Sequence, residues 1–337
     1  MTSKLLTFFS SDAAPLYKAD VFRALALPEG YVLQFRYPLQ YIDPSFGGNF
    51  SSFVGRKGCI FFVHGNDLSL PSAKRPHQVF SIREVTVSGF FLDETDTEQT
   101  YFYLKLGQFK DYRDSGGVLR QQAAKDIYVS EAEFDLGTEH SWSDRVRAVS
   151  TFFPSFLFYG IKAVLEGSTV KTPVYDELTH SSRFDLNDES DYRYEMLFLD
   201  TTGGEAILKT ESLSESLAVS IPAEFIVGAK TDHLTFPFQT GSLNRRTETA
   251  TVRFLQDGIS SAYRVDLTFR ITRSWWKPVF FGLWTALAGL GLLLAQMVPK
   301  VITEIPPLTT VNFALGAAAV LFVGAGAGAL YHLFNKK

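Results

Sequence analysis

The chain has 337 residues, a formal net charge of -4 and an aromatic content of 15%, which includes 31 Phe and 14 Tyr. This small and evenly spread charge excludes a nucleic-acid-binding surface, because such a surface requires a basic patch. The single cysteine, Cys59, excludes a disulfide framework and a multi-cysteine metal site, and it begins an apolar run in which we expect a buried thiol.

Segments of alternating apolar and polar residues recur along the chain and predict half-buried β-strands. In residues 31–41 the odd-numbered positions are all apolar or aromatic, whereas the even-numbered ones include Gln34 and Arg36. The other predicted strands are 59–63, 79–91, 101–106, 127–136, 149–161, 192–199, 206–210, 217–221, 249–255 and 263–271. Short helices are predicted only at 14–26 and 141–149.

The last two of these strands flank Asp257-Gly258, a dipeptide typical of hairpin turns. Strands that are separated by turns, without regular helices between them, predict a mainly β soluble region built as an antiparallel β-sandwich or barrel. Polar stretches divide this region into β-rich modules at 1–145 and 146–273, or leave it as one continuous domain. Residues 274–337 form a separate C-terminal segment.

Two uncharged apolar runs, residues 279–298 and 311–330, lie in this C-terminal segment. A helix of about 20 residues spans the roughly 30 Å hydrocarbon core of a bilayer. Between the runs lie Pro299, Lys300 and Glu304, and the proline there ends one helix before the next begins. The sequence therefore predicts a two-helix transmembrane hairpin in the lipid bilayer, and a pair of buried helices in a soluble protein is the alternative.

The residues beside the two runs are typical of a membrane interface. Trp275, Trp276 and Lys277 precede the first run, and Tyr331 follows the second. Amphipathic aromatic side chains and long cationic side chains favour the headgroup region at the ends of transmembrane helices. We therefore expect these four residues to lie at the membrane surface.

Positive charges predict the orientation of the hairpin. Arg273 and Lys277 before the first run, together with Lys336 and Lys337 after the second, outnumber Lys300 in the connecting loop. Both ends of the hairpin, and with them the N-terminal domain, should face the cytoplasm. The expected location is the inner (cytoplasmic) membrane, crossed twice.

Small residues form stripes on both predicted spans. Gly282, Ala286 and Gly289 lie near one helical face of the first, and Gly324 and Gly328 have the four-residue spacing that permits close helix contact in the second. This contact joins the two spans of one chain or joins copies of the chain in a homo-oligomer. Neither span contains Asp, Glu, Lys or Arg, which argues against a proton relay or an ion-coupled transporter.

Motifs for catalysis and for metal binding are incomplete. The strand that ends in His64-Gly65 is similar to a turn of α/β-hydrolases, but no Gly-x-Ser-x-Gly elbow follows it. The acidic stretch 185–191 has carboxylates at the spacing of a calcium loop, yet Ser190 replaces the required glycine and Met196 the required glutamate. We therefore predict no catalytic residue, metal site or cofactor, and we expect a protein that is not an enzyme.

Four arginines on or beside aromatic strands are the candidate ligand-binding residues: Arg36, Arg83, Arg253 and Arg264. A β pocket binds a nucleotide or another small ligand if aromatic rings stack on it and arginines or backbone groups hold its phosphate or carboxylate. The simpler interpretation of each arginine is a surface charge on a sheet.

In its layout the chain resembles the two-transmembrane, β-domain membrane effectors of bacterial anti-phage defence systems. Some of those effectors bind a nucleotide second messenger and then assemble to disrupt the inner membrane. The helices of the better-known examples precede the β domain, whereas the predicted hairpin follows it here. The resemblance implies a membrane-anchored sensor or effector, whose cytoplasmic β domain binds a small ligand or a protein and controls the association of the two spans through the strand 263–271.

The second hypothesis is a non-enzymatic membrane scaffold or adaptor. In that case the hairpin only anchors the chain, and the β domain binds a partner protein.

Overall fold

Strands account for most of the structure, as the alternating segments predict. A computed structural model describes residues 2–65, 78–93, 99–113, 127–135, 137–201, 203–213, 219–228, 230–243, 245–273, 282–287 and 289. The described part of the chain is mainly β, with two α-helices in residues 2–273. The expectation of a mainly β fold before residue 274 is confirmed.

The strands in chain order are β1 Thr2–Ser11, β2 Val32–Pro38, β3 Lys57–His64, β4 Gln78–Asp93, β5 Gln99–Leu106, β6 Lys110–Asp111, β7 Tyr128–Asp135, β8 Thr138–Glu139, β9 Leu157–Glu166, β10 Thr169–Lys171, β11 Val174–Asp176, β12 Ser181–Asn187, β13 Asp191–Asp200, β14 Ala206–Ser212, β15 Val219–Ser220, β16 Glu224–Val227, β17 His233–Thr240, β18 Thr247–Gln256 and β19 Val265–Thr272. The helices are α1 Pro15–Ala26 and α2 Trp142–Ser150. Short 3-10 turns lie at Leu39–Tyr41, Pro44–Phe46, Phe50–Phe53 and Ser261–Tyr263.

The first sheet contains the strands of the first half of the chain in the order β2-β5-β4-β3-β1-β7, and β6 and β8 form a small sheet of their own. Most neighbours are antiparallel, but β1 and β3 are parallel, because α1 and β2 lie between them in the chain. Gly58 permits this pairing, since a Cβ at that position would lie 2.7 Å from the Leu6 carbonyl oxygen.

Two further sheets form a β-sandwich, with strand orders β10-β9-β13-β17-β15 and β11-β12-β19-β18-β14-β16. Aromatic rings of the two sheets meet between them. The ring of Tyr194 on β13 lies 5.4 Å from that of Phe254 on β18, and the ring of Phe238 on β17 lies 5.7 Å from that of Phe269 on β19. Their burial creates a common apolar core.

Helix α1 contacts both the first sheet and the sandwich. Pro15 begins it, at the position where a missing N–H costs nothing. Its Phe22 ring lies 5.3 Å from Tyr159 and 5.7 Å from Tyr263, both of the sandwich. Residues 1–272 form one compact unit and residues 273–337 a second.

The structure corrects several sequence predictions. The predicted strand 149–161 is wrong in its first half, because residues 149 and 150 end α2 and β9 begins only at Leu157. A short apolar run does not distinguish a helix end from a strand. Strands β1, β12 and β17 were not predicted, and the parallel β1–β3 and β12–β19 pairs depart from a purely antiparallel arrangement. The hairpin of β18 and β19 around Asp257-Gly258 is confirmed.

Cys59 is fully buried, which confirms the prediction of a core thiol. Burial raises the pKa of this thiol to about 12, and its Sγ lies 3.2 Å from the Ser81 hydroxyl. A thiol with such a pKa remains protonated and unreactive at neutral pH.

The predicted transmembrane spans lie outside the described residues, apart from a helical stretch at 282–287 and residue 289. Among the residues that the structure describes, no helix combines the length and the apolar content needed to cross a bilayer. The hairpin, its orientation and its location therefore remain predictions from the sequence.

Gly58→Ala should destabilise the protein by about 1–3 kcal/mol, because the added methyl group collides with the backbone of β1 and overpacked cores cost this much. The matched control is Gly204→Ala, which has no heavy atom within 4 Å of the added Cβ and should change stability by less than about 0.5 kcal/mol. Urea unfolding followed by tryptophan fluorescence measures both. Equal midpoints for the two variants would contradict the close β1–β3 approach.

Asp20→Asn should change how the stability depends on pH. Burial raises the pKa of Asp20 from 3.8 to about 6, against the lowering effects of Arg23 and Arg36. Because the folded state binds this proton more tightly than the unfolded state, the contribution of Asp20 is most favourable below pH 4 and is lost as the pH rises through 6. The loss is at most about 3 kcal/mol.

The difference in unfolding free energy between Asp20→Asn and the unmodified protein, measured by urea unfolding from pH 4 to pH 7, should therefore shift in favour of the variant as the pH rises. Parallel stability curves over this range would contradict the raised pKa.

Candidate ligand-binding cleft

A cleft of about 220 Å³ lies where α1, the first sheet and the sandwich meet. Its walls come from the end of α1, the loop after β5, the start of α2 and the strands β4, β9 and β13. The larger apolar side chains that line it are Leu25, Leu27, Phe109, Trp142, Ile161 and Leu197. The ionisable ones are Glu29, Arg83, Glu139, His140 and Lys162.

Arg83 on β4 is the buried charge of this cleft, with 2% of its surface exposed. Its Nη1 donates hydrogen bonds to the carbonyl oxygens of Ala24 at 2.9 Å and Leu27 at 2.6 Å, and its Nε donates to that of Gly107 at 2.6 Å. The first two carbonyls belong to the C-terminal end of α1, where backbone acceptors lack partners within the helix. Arg83 therefore caps α1 from a neighbouring strand.

The other amino group, Nη2, has no hydrogen-bond partner among the described residues. The Phe109 ring covers one face of the guanidinium, with its centroid 4.3 Å from Cζ. Burial lowers the pKa of Arg83 to about 9, and the nearby charge of Glu29 opposes this effect. The guanidinium is therefore positively charged at neutral pH, with two donor hydrogens left for a bound group.

Trp142 and Gly160 form another part of the cleft wall. Ser141 caps the start of α2 by accepting from the Asp144 N–H, and Trp142 follows as the first helical residue. The Trp142 Nε1 donates to the Leu25 carbonyl oxygen at 2.9 Å. A Cβ on residue 160 would lie 2.6 Å from that Nε1, so only glycine admits the indole in this position.

The other ionisable groups of the cleft are more exposed than Arg83, and two of them interact with acidic residues. The Lys162 Nζ lies 2.8 Å from a carboxylate oxygen of Glu195 on the neighbouring strand. The His140 Nε2 lies 3.9 Å from the Asp111 carboxylate. Glu29 and Glu139 are exposed at the rim. The cleft therefore has a cation at its base and carboxylates at its edge.

The structure places one of the four candidate arginines in the cleft. Arg36 is exposed on β2, near enough to Asp20 to lower its pKa. Arg253 forms a two-bond ion pair with Asp266 across β18 and β19, at 2.8 and 3.0 Å. Arg264 is half-buried just before β19, and it does not line the cleft.

The membrane residues predicted from the sequence lie largely outside the described part of the chain. Gly282, Ala286 and Gly289 fall within its helical residues at 282–287 and 289. Gly324 and Gly328 are beyond it, as are the predicted interface residues Trp275, Trp276, Lys277 and Tyr331.

Sequence reasoning missed Phe109, Trp142 and Gly160. These residues come from three separate segments, and nothing in their local pattern indicates that they converge. The only available signal was Gly160 inside an apolar strand, because a strand glycine often marks the close approach of another group.

A second group of polar side chains, outside the cleft, is centred on His64. The sequence predicted this residue to lie in a turn after a strand. It ends β3, its Nδ1 is hydrogen-bonded to the Asp12 carboxylate, and its ring stacks on Phe152 at 3.8 Å. Within the described residues there is no group of three or more His, Cys, Asp or Glu side chains that could hold a metal ion.

Comparisons with known proteins do not assign the chain to a family: no protein-family model and no curated protein matches it. It is similar to WR4, a C. elegans MSP family member, with 6% identity, coverage of 27% of this chain and 92% of that chain, and a TM-score of 0.19. It is also similar to a FixG-related protein from Vibrio parahaemolyticus, with 14% identity, coverage of 34% of this chain and 96% of that chain, and a TM-score of 0.21. A chimeric titin Z1Z2 tandem has 8% identity, coverage of 58% of this chain and 89% of that chain, and a TM-score of 0.17. Similarity at this level carries no functional argument.

Arg83→Met should destabilise the protein by about 3–5 kcal/mol, because it leaves three buried carbonyl oxygens without donors. Arg253→Met is the matched control, since it removes a partly exposed ion pair that is worth at most about 1 kcal/mol. Thermal unfolding followed by circular dichroism compares the two variants. A similar loss for both would contradict the capping role of Arg83.

Proposed function

We propose that this protein is a membrane-anchored sensor or effector, whose cytoplasmic β domain binds a small ligand and controls the association of two transmembrane helices. The observation that carries the proposal is the buried Arg83 guanidinium, which lines the cleft with its Nη2 unpartnered among the described residues. Nη2 is not among the buried, unpaired polar atoms of the described residues, so it is accessible from the cleft and can donate to the acceptor group of a ligand there.

The ligand side of the proposal is supported by the position of the cleft. It lies where three parts of the fold meet, so a ligand that fills it contacts the end of α1 and the sandwich strands β9 and β13 at once. A ligand changes a conformational equilibrium only through different contacts in the two states, and a junction between packed elements offers that difference.

The transmission step is supported by the contacts of α1. Arg83 caps the end of this helix, and Phe22 on the same helix packs against Tyr263, two residues before β19. The Tyr31 hydroxyl also donates to the backbone carbonyl of Asp266 on β19, at 3.4 Å. Strand β19 ends at Thr272, seven residues before the apolar run that begins at residue 279. A shift of α1 would thereby reach the membrane segment.

The membrane side of the proposal rests on the sequence. The two uncharged runs, the interfacial tryptophans and the positive charges at their outer ends favour a hairpin in the inner membrane with both ends in the cytoplasm. The glycine stripes permit close helix contact, through which copies of the chain assemble into a homo-oligomer in this proposal. In the proposed mechanism the assembled spans disrupt the membrane, as part of anti-phage defence.

The alternative function, a scaffold that binds a partner protein, is favoured by one surface feature. Ile226 on the edge strand β16 is 69% exposed, and it pairs across the ladder with Ile207, which is 38% exposed. A short edge strand with exposed apolar side chains can accept a strand from another protein. In this case the hairpin serves only as an anchor.

Replacing Gly324 and Gly328 together by Leu should abolish membrane depolarisation if the spans act by close contact, because the larger side chains keep the helices apart. Gly326→Leu is the matched control, since residue 326 lies about 200° around an ideal helix from residue 324. A potential-sensitive dye in induced bacterial cells provides the measurement.

The effector proposal expects depolarisation in the unmodified protein and in Gly326→Leu, and its loss in the double variant. Depolarisation that persists after deletion of residues 279–334 would overturn the proposal. Full function of the double variant, with the spans retained only as an anchor, would favour the scaffold.

A further inference from the structure

The hydrogen-bond geometry of Arg83 limits what it can bind. Its Nε and both hydrogens of Nη1 are directed to backbone carbonyl oxygens, so only Nη2 remains. The parallel two-bond fork that arginine offers to phosphates and carboxylates uses two different nitrogen atoms. Arg83 is therefore restricted to a group that it reaches through one nitrogen.

The charges of the cleft limit the negative charge that a ligand can carry. Arg83 and Lys162 are the formally positive lining residues, and Glu29 and Glu139 are the formally negative ones. Lys162 is already paired with Glu195, so Arg83, whose charge the nearby Glu29 partly offsets, is the lining cation that forms no ion pair with a described residue. A polyphosphate would place several negative charges near two carboxylates without further cations to balance them, at a cost in desolvation.

The size and walls of the cleft favour a small ligand with an apolar body. Its volume of about 220 Å³ is below the roughly 300–1,000 Å³ of ordinary ligand pockets, which favours a ligand smaller than a nucleotide. The apolar side chains Leu27, Phe109 and Trp142 line the cleft. They offer a surface to an aliphatic or aromatic group.

We infer that the cleft binds a small monocarboxylate, whose carboxylate accepts hydrogen bonds from the Arg83 Nη2 and whose apolar body packs against Phe109 and Trp142. This inference rests on the proposed sensor function, because it names the chemical class of the ligand that the sensor would bind. The ligand that we infer is smaller than the nucleotide considered from the sequence, and it carries a single negative charge.

Isothermal titration calorimetry on the full-length protein in detergent micelles tests the inference with four probes: benzoate, benzyl alcohol, phenyl phosphate and AMP. Benzoate should bind, and benzyl alcohol, which has a similar shape without the charge, should bind at least about tenfold more weakly because it loses a charge-assisted hydrogen bond. Phenyl phosphate should be weaker than benzoate, and AMP should not bind.

A pair of variants locates the bound probe without disturbing Arg83, whose replacement would also affect folding. Leu197→Trp adds bulk to a half-buried lining residue on β13 and should weaken benzoate binding at least about tenfold by filling the cleft. Leu199→Trp is the matched control. It lies on the same face of β13, is also half-buried and does not line the cleft, so benzoate affinity should stay within about twofold.

Tighter binding of phenyl phosphate or AMP than of benzoate would overturn the inference that the cleft binds a monocarboxylate. Equal affinities for benzoate and benzyl alcohol would also overturn it, and so would the absence of binding by all four probes. An equal effect of the two tryptophan variants would place the probe elsewhere and would also overturn it. These outcomes are distinguishable from failure of the proposed function, which the glycine variants and the deletion test separately through membrane depolarisation.

Discussion

The buried guanidinium of Arg83 joins the parts of the structure on which the candidate site depends. A helix ends with carbonyl groups that have no partner of their own, and α1 ends inside the protein, where water cannot supply one. Arg83 donates to two of these carbonyl groups and to a third in the loop after β5, so one side chain ties helix, strand and loop together. A buried cation is costly unless its donors are used, and Arg83 uses Nε and Nη1 for these three bonds, whereas Nη2 has no hydrogen-bond partner among the described residues.

Aromatic packing connects this cleft to the rest of the molecule. The high phenylalanine and tyrosine content of the chain is concentrated in one core, in which Phe22 of α1 meets Phe156, Tyr159 and Tyr263 of the sandwich at 5.6, 5.3 and 5.7 Å. Interiors packed in this way transmit displacements instead of absorbing them. In the proposed coupling, a ligand that alters the end of α1 would act through these contacts on Tyr263, two residues before β19.

The two candidate functions place the same fold under different constraints. A sensor needs a cleft whose filling changes the contacts of α1, and it needs membrane segments that respond through close helix contact. A scaffold needs only a stable β domain with an accessible edge, such as β16 with its exposed Ile226. The sensor hypothesis uses the Nη2 of Arg83, which is accessible from the cleft, whereas the scaffold hypothesis needs no ligand there.

The sequence by itself determined the strand-rich character of the chain, the β18–β19 hairpin, both helices and the buried thiol of Cys59, because these follow from local periodicity, turn chemistry and burial preference. It also identified Arg83 as one of four candidate ligand-binding arginines, but it gave no reason to prefer one of them. Only the tertiary structure separated them: Arg253 is satisfied by Asp266 across its own hairpin, whereas Arg83 points into a junction formed by α1, the loop at Gly107 and β9. Local patterns cannot report such a junction, since its walls come from residues more than a hundred positions apart and their convergence is decided by how the sheets pack.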